Sequence, residues 1–271
     1  DIAGYVKEYI EKEGYAREQL LGVGLGVPGP VDGDGVVHRC VNLGWGVLNV
    51  ETALTVLTGL PTRAGNDANV AALGEMWQGG GKGYRSAVMV TLGTGVGGGI
   101  IIDGKMLSGA NGAGGEIGHM PVHKTEQRLC GCGKTNCLEV YTSGSGIAKS
   151  AKKALSEYAG ETLLRKCADI TAKEVFECAG HGDELALALV DEVGEILGEA
   201  LANVACVCDP EVFVIGGGVS KAGEMLTETV RSHYRKYAFH ACAGAEFKLA
   251  ELGSDAGMYG SCRQLISQVR D

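Results

Sequence analysis

Long apolar segments and basic clusters are both missing from this chain of 271 residues. No segment approaches the roughly 18 uninterrupted apolar residues of a membrane-spanning helix, and the first residues lack the basic and apolar regions of a secretory signal. The formal net charge is −9, with no long basic run to offset it. These absences argue against nucleic-acid and membrane partners, and they favour a cytoplasmic protein that binds a small molecule.

Glycine is abundant, with 45 residues, but it forms no repeat. The glycines cluster where strands are predicted to end, so a collagen-like or low-complexity chain is excluded. The hydrophobic fraction of 45% is enough for one large core, or for two modest cores that close over a cleft.

Ten cysteines in a chain of this length are too sparse for a disulfide scaffold. Seven of them are scattered singly or lie in apolar segments, and we interpret these as reduced, partly buried thiols: Cys40, Cys167, Cys178, Cys206, Cys208, Cys242 and Cys262. Cys206 and Cys208 form a C-x-C pair, but no histidine or further cysteine lies close by in the sequence. A metal site is therefore not predicted there.

The hydrophobic patterning predicts alternating strands and helices. The predicted helices are 2–20, 70–78, 183–207 and a segment from residue 222, and the predicted strands are 21–27, 87–92, a hairpin within 100–107 and 212–215. Either Asn66 or Asp67 is suited to cap the second helix. This mixture, with one meander, indicates an α/β protein with mixed sheets. No linker divides the chain.

Three cysteines with short spacing predict a metal site. Cys130-Gly131-Cys132 and Cys137 place three thiolates on one knuckle, and His119 lies eleven residues upstream of Cys130. Three sulfurs and one imidazole complete a tetrahedral zinc shell with no open position, so we expect a structural Zn²⁺. By spacing alone, His123 is an alternative fourth ligand.

Two glycine turns follow predicted strands and are suited to bind a nucleotide. The first, Gly93-Thr94-Gly95, offers backbone N–H groups and a hydroxyl to phosphate oxygens. The second, Gly216-Gly217-Gly218, exposes backbone against which a base or ribose can lie. Neither turn ends in the Gly-Lys-Ser/Thr of a Walker loop.

The order of these motifs resembles the glucokinases of the ROK family, within the actin-like ATPase superfamily. The resembling segments are Gly24-x-Gly26-x-Pro28-Gly29-Pro30-Val31-Asp32, Asn42-Leu43-Gly44-Trp45, Asn66-Asp67-Ala68-Asn69, Leu92-Gly93-Thr94-Gly95-Val96-Gly97-Gly98-Gly99, Gly115-Glu116-Ile117-Gly118-His119, Cys130-Gly131-Cys132-Gly133, Cys137-Leu138-Glu139, Ile215-Gly216-Gly217-Gly218-Val219-Ser220, Ala250-Glu251-Leu252-Gly253 and Asp255-Ala256-Gly257. They extend over nearly the whole chain.

The resemblance implies a two-domain actin-like ATPase fold, also called ribonuclease H-like, with a cleft between its domains. Residues 1–68 with 256–271 would form the smaller domain, and residues 69–255 the larger one with the zinc loop and the nucleotide site. The implied reaction is phosphorylation of glucose by ATP with Mg²⁺. We also expect a homo-oligomer, a dimer or tetramer.

The resemblance further implies a role for each motif residue. Asp67 is the general base for the sugar 6-hydroxyl. The residues implied to bind the sugar are Asn66, Asp67, Glu116, His119 and Glu139. Gly93, Thr94 and Gly95 would hold phosphates, whereas Gly216, Gly217 and Gly218 would line the adenosine side. A histidine that gives one ring nitrogen to zinc presents the other to a hydroxyl, which favours His119 over His123.

One family motif has no counterpart in this sequence. Kinases of this family begin with a strand that carries Asp-x-Gly-Gly-Thr, and we therefore expect the first strands of the kinase to be missing from this chain. Two alternative functions follow from the same resemblance. One is a kinase for another hexose, such as N-acetylglucosamine or fructose, and the other is the sugar-sensing body of a ROK transcriptional repressor.

Overall fold

The structure is a computed structural model and describes residues 2–38, 40, 43–122 and 125–269. The helices in these residues are α1 (Ile2–Glu13), α2 (Val50–Thr58), α3 (Asp67–Gln78), α4 (Glu139–Thr142), α5 (Gly144–Glu157), α6 (Ala172–Gly180), α7 (Glu184–Cys208), α8 (Glu224–Tyr237) and α9 (Ala256–Val269). The strands are β1 (Val23–Val27), β2 (Val36–Val37), β3 (Leu48–Asn49), β4 (Thr62–Asn66), β5 (Ala87–Leu92), β6 (Val96–Ile102), β7 (Lys105–Met106), β8 (Val212–Gly216) and β9 (Glu246–Leu249). None of these helices has the length and apolar character that a membrane crossing requires.

The largest sheet has five strands in the order β7-β6-β5-β8-β9. Strand β5 is antiparallel to β6 and parallel to β8, and Thr91 pairs with Gly216 at the carboxyl ends of β5 and β8. The two glycine turns therefore leave the sheet at the same edge. The α/β class with mixed sheets is confirmed.

A second, parallel pair of strands lies in the first part of the chain. Strands β1 and β4 pair from Val23 with Thr62 to Val27 with Asn66. Because the pair is parallel, the Pro28-Gly29-Pro30 turn after β1 and the Asn66-Asp67 segment at the end of β4 lie at one edge.

The buried apolar residues form separate clusters. The largest lies on one face of the five-stranded sheet and includes most of the inner face of α7. A smaller cluster lies under α1, β1 and α2 and includes Ala3, Val27, Val50 and Leu54. The described residues therefore contain one large core and one small core, alongside smaller clusters on the other face of the five-stranded sheet.

Helices α3 and α9 cross in backbone contact. A Cβ added at Gly260 of α9 would lie 1.5 Å from the carbonyl oxygen of Val70, and one at Gly74 of α3 would lie 2.1 Å from that of Ala256. Only glycine permits this approach on both helices, which explains two glycines that lie inside helices.

The end of α3 is held by a buried carboxylate. Glu75 has an exposed fraction of 1%, and its Oε2 accepts hydrogen bonds from the N–H groups of Gly80 (2.9 Å) and Glu251 (3.0 Å). Its Oε1 accepts one from the N–H of Leu252 (2.9 Å). These bonds compensate the burial of the charge and fasten α3 to the segment that precedes α9.

Three predicted helices have clearly different bounds. Helix α3 begins at Asp67, three residues before its predicted start. Helix α1 ends at Glu13 because Gly14 adopts a left-handed conformation (φ 69°), and Arg17–Gln19 is a short 3₁₀ helix before β1. The helix predicted from residue 222 begins at Glu224. Gly218–Ala222 forms a 3₁₀ helix, and Gly223 (φ 66°) separates it from α8.

Candidate functional site

The start of α3 presents an exposed carboxylate. Asn66 is the N-cap, since its Oδ1 accepts hydrogen bonds from the N–H groups of Ala68 (3.0 Å) and Asn69 (3.1 Å). Its Nδ2 donates to the carbonyl of Gly29 (3.2 Å), which fixes the Pro-Gly turn against the helix. Asp67 is the first residue of the helix and is exposed, at the end where the helix dipole stabilises an ionised carboxylate.

The glycine run after Gly95 is a packing surface and not a loop. Residues 96–99 lie in β6, where a Cβ at Gly97 would lie 3.2 Å from the Cβ of Ala68, and one at Gly99 would lie 2.6 Å from that of Ala72. On the opposite face, a Cβ at Gly98 would lie 2.5 Å from the carbonyl oxygen of Gly115. Strand β6 therefore brings the start of α3 and the Gly115–His119 turn onto its two faces.

The four predicted zinc ligands come together. The ligand atoms of His119, Cys130, Cys132 and Cys137 all lie within 4.8 Å of one another. The Cys132 and Cys137 sulfurs are 3.6 Å apart, and the Cys130 sulfur is 3.7 Å from Nδ1 of His119. Tetrahedral Zn–S bonds of about 2.3 Å place two sulfurs about 3.8 Å apart, so the donor set fits a closed zinc shell. His123 and Lys124 lie outside the described residues, as does Asn42.

The three thiols of this cluster differ in their environments. Burial raises the pKa of Cys130 and raises that of Cys137 to about 12. The exposed Cys132 has a lowered pKa, chiefly because the N–H of Lys134 donates to it. A metal ion that takes all three as thiolates must therefore displace protons from two buried sulfurs.

His119 presents its second ring nitrogen away from the cluster. Its Nε2 is 4.0 Å from Oε2 of Glu116, and the two side chains are 41% and 40% exposed. Both residues belong to the turn that ends in the 3₁₀ helix Ile117–His119. An imidazole and a carboxylate thus face solvent together beside the metal-ligating atoms.

Glu139 connects the cysteine knuckle to the phosphate turn. Its Oε2 accepts a hydrogen bond from the N–H of Val96 (3.0 Å), directly after Gly95, and its Oε1 is 3.7 Å from the Cys130 sulfur. The knuckle, the turn and Glu139 are consequently one connected unit.

A buried network holds the base of the knuckle. The N–H of Arg128 donates to Oδ1 of Asn136 (2.9 Å), and the hydroxyl of Tyr141 donates to the same oxygen (2.8 Å). The Arg128 guanidinium lies over the Tyr141 ring at 4.6 Å from its centroid, and it donates to Glu126 (2.9 Å). Sequence reasoning missed this network, because Arg128 and Tyr141 are not part of any recognisable sequence motif.

This network predicts a dependence of stability on acid pH. Hydrogen bonding to Arg128 lowers the pKa of Glu126 from 4.5 to about 2. The ionised carboxylate therefore stabilises the fold above pH 4.5, and this contribution is lost as the pH falls from 4.5 towards 2. In urea titrations, we expect Glu126→Gln to have a lower free energy of unfolding than wild type at pH 7, and this difference should shrink as the pH falls. An equal difference at pH 7 and pH 3 would contradict the lowered pKa of Glu126.

The two glycine turns border one large cavity of about 970 Å³. Gly93, Thr94 and Gly218 line it, while Gly216 and Gly217 connect β8 to it. The turn after β5 is fixed to α5, since the N–H of Gly144 donates to the carbonyl of Gly93 (2.8 Å) and the Ser145 hydroxyl donates to that of Thr94 (2.7 Å). A volume of this size accommodates a nucleotide.

The opposite wall of the cavity was not predicted from the sequence. It comes from α6 and the residues before it, and it includes Thr171, Lys173 and Phe176. Lys152 of α5 pairs with Asp169 at 3.0 Å across this wall. The wall offers one aromatic face and both signs of charge to a ligand.

The family pattern of ROK proteins matches residues 2–267. The chain belongs to the ROK family. It is 43% identical to a glucokinase of Halalkalibacterium halodurans over 265 residues, which cover 96% of this chain and 80% of that protein. It is 34% identical to a glucokinase of Thermotoga maritima, over 93% of this chain and 81% of that protein.

Solved structures show the same relationship for this ROK protein. A ROK family glucokinase from Streptomyces griseus, in complex with glucose and AMPPNP, superposes with a TM-score of 0.77 and 32% identity over 97% of this chain and 86% of that one. The fold of this ROK protein is therefore that of the actin-like ATPase superfamily, which confirms the expected fold class.

Proposed function

We propose that this ROK protein is an ATP-dependent sugar kinase that phosphorylates glucose at its 6-hydroxyl. The strongest support is the 43% identity to a glucokinase over 96% of the chain. The geometry agrees in two respects. Strand β6 packs against the start of α3, where the Asp67 carboxylate is exposed. Glu139 connects the cysteine knuckle to the phosphate turn, and that turn lines a cavity large enough for a nucleotide.

Asp67 is the proposed general base. It accepts the proton of the sugar 6-hydroxyl as that oxygen attacks the γ-phosphate of MgATP, which is the second substrate. Because the transition state of phosphoryl transfer is loose, catalysis depends mainly on positioning and on stabilising charge. Asp67 lies in the first turn of α3, and the Asn66 cap fixes where that helix begins.

We assign the sugar hydroxyls to Asn66, Asp67, Glu116, His119 and Glu139. Bound zinc would fix the His119 ring through Nδ1 and leave Nε2 as an oriented donor beside Glu116. The shell of three cysteines and one histidine has no position for water, so the zinc would have a structural role only.

The nucleotide is assigned to the cavity between the glycine turns. Gly93, Thr94 and Gly95 would hold its phosphates, and Gly216, Gly217 and Gly218 would lie on its adenosine side. Support comes from the shared sheet edge at which both turns leave β5 and β8 and from the AMPPNP bound to the Streptomyces griseus relative.

The division into residues 1–68 with 256–271 and residues 69–255 is also part of the proposal. It is supported by the separate buried clusters around β1 and around the five-stranded sheet. A cytoplasmic location and a homo-oligomer, dimer or tetramer, complete it. Sedimentation velocity of the complete natural protein tests the oligomer, and a monomer at all concentrations would contradict it.

Turnover of a sugar panel tests the function directly. The complete natural protein is incubated with MgATP and with glucose, N-acetylglucosamine, fructose or xylose, and ADP release is followed by a coupled assay. We expect glucose to give the largest kcat/KM and the product to be a substrate of glucose 6-phosphate dehydrogenase. Sugar binding without turnover would favour the sugar-sensing repressor, and preference for another hexose would change the substrate.

Zinc removal is expected to weaken sugar binding. Elemental analysis should give about one zinc per chain, and Cys132→Ser should lose that zinc and raise the glucose KM about tenfold or more. Cys206→Ser is the matched control, because Cys206 is also exposed and lies outside the cluster. Freshly purified protein without zinc, or Cys132→Ser with an unchanged glucose KM, would contradict this role.

A further inference from the structure

Two cysteines outside the zinc cluster lie side by side. The sulfurs of Cys167 and Cys178 are 4.0 Å apart. Cys167 directly follows the short 3₁₀ helix Leu163–Lys166 and is partly exposed, whereas Cys178 lies on the buried face of α6. Ten residues lie between them, and each was interpreted as an isolated thiol, so their proximity was not predicted.

The separation is close to what a covalent bond requires. A disulfide holds its sulfurs about 2.05 Å apart, so the two atoms have only about 2 Å to close. Cys167 follows the 3₁₀ helix in an extended backbone conformation, whereas Cys178 lies within α6, which packs on α7. We therefore expect Cys167 to be the residue that moves when the bond forms. Disulfides that form in reducing compartments are usually transient and redox-sensing.

The bond would close a loop that forms the wall of the nucleotide cavity. Ten residues separate the two cysteines, and seven of them line that cavity, among them Asp169, Thr171 and Phe176. Drawing the sulfurs together moves the ends of this segment relative to each other, including Asp169 and its ion pair with Lys152. The wall opposite the glycine turns would change shape.

We propose that peroxide converts Cys167 and Cys178 to a reversible disulfide, and that this bond weakens nucleotide binding. The second half rests on the nucleotide site of the proposed function. Neither Cys167 nor Cys178 is among the residues that we assign to sugar or phosphate binding.

The chemistry balances with hydrogen peroxide as the oxidant. The Cys167 thiol loses its proton, and the thiolate attacks one peroxide oxygen. The O–O bond breaks, sulfenic acid forms, and the departing hydroxide takes up that proton to become water. The Cys178 thiol then attacks that sulfur and loses its proton, and the sulfenic oxygen leaves as a second water. Two electrons pass from the thiols to the peroxide, and a dithiol reductant reverses the reaction.

Exposure determines which sulfur reacts first. Cys167 is the accessible member of the pair, whereas burial raises the pKa of Cys178 to about 11. Cys178 is therefore the resolving thiol, protected from direct oxidation until Cys167 has been activated.

Peptide mapping tests the bond itself. The zinc-loaded protein is treated with equimolar hydrogen peroxide, alkylated, and digested without reduction. We expect a linked species about 2 Da lighter than its two thiol peptides, reversed by dithiothreitol. Cys167→Ser and Cys178→Ala should abolish it, and Cys262→Ser, at an exposed cysteine, should not. Full alkylation of Cys167 and Cys178, with zinc released instead, would overturn the proposal.

Calorimetry with AMPPNP tests the consequence for the nucleotide without requiring turnover. We expect the cross-linked protein to bind AMPPNP at least about fivefold more weakly than the reduced protein, with recovery on reduction and no change in Cys178→Ala. An unchanged Kd after complete cross-linking would overturn the regulatory half. If the reduced protein bound no AMPPNP, the nucleotide site and the proposed function would be wrong, and the mapped bond would still stand.

Discussion

Replacing Asp67 by asparagine is expected to lower kcat for glucose phosphorylation by about a thousandfold, within the usual range for losing a general base. The asparagine has the same size, and its side-chain oxygen can still accept the hydrogen bond that Oδ1 of Asp67 accepts from the N–H of Ala68 (2.8 Å). The Asn66 cap is untouched, so the helix should begin as before. Steady-state kinetics with saturating MgATP measures the loss, and titration with glucose measures binding.

The matched control is Asp103→Asn. Asp103 is exposed in the turn between β6 and β7 with φ of 51°, a conformation that asparagine adopts readily. We expect its kinetics to remain within about twofold of wild type, as for a surface substitution. Substantial turnover by Asp67→Asn would exclude Asp67 as the base, and an equal loss in both variants would point to an unspecific effect.

Replacing Gly260 by alanine is expected to lower the free energy of unfolding by at least about 3 kcal/mol. The added Cβ would lie 1.5 Å from the Val70 carbonyl oxygen and 2.5 Å from its carbon, both backbone atoms that no rotamer change can move. Helices α3 and α9 would have to separate, which also moves Asp67 at the start of α3. Urea or thermal unfolding followed by circular dichroism measures the loss.

Gly257→Ala in the same helix is the control for this substitution. A Cβ at Gly257 has no atom within 4 Å, and alanine favours a helix over glycine by about 0.5 to 1 kcal/mol. We therefore expect Gly257→Ala to be as stable as wild type or slightly more stable. Equal stability of Gly260→Ala and Gly257→Ala would show that α3 and α9 do not touch as described.

Local patterns accounted for the cysteine knuckle and the glycine turns. Cys130, Cys132 and Cys137 lie close in sequence, so their convergence follows from a short loop, and His119 was placed by the resemblance. The regular apolar run of α7 likewise identified a long helix within one residue of its observed ends. Such features depend on neighbours along the chain.

Contacts between distant segments could not be predicted in this way. Cys167 and Cys178, Gly260 and Val70, and the α6 wall of the cavity meet only because the tertiary fold brings them together. The glycines of β6 show the same limit. In the sequence they continue the glycine run that starts with the predicted phosphate turn at Gly93, and only the fold shows that they pack α3 and the Gly115–His119 turn against a strand.

The Glu75 carboxylate also affects how motion can be transmitted. It fastens one end of α3 to Glu251 and Leu252, and at the other end the Asn66 side chain fastens the helix to Gly29. A helix that is anchored at both ends is expected to move as one rigid element and not to bend. We therefore expect a displacement of the segment before α9 to be transmitted from Glu75 to Asp67 through about 12 Å of helix, at about 1.5 Å per residue.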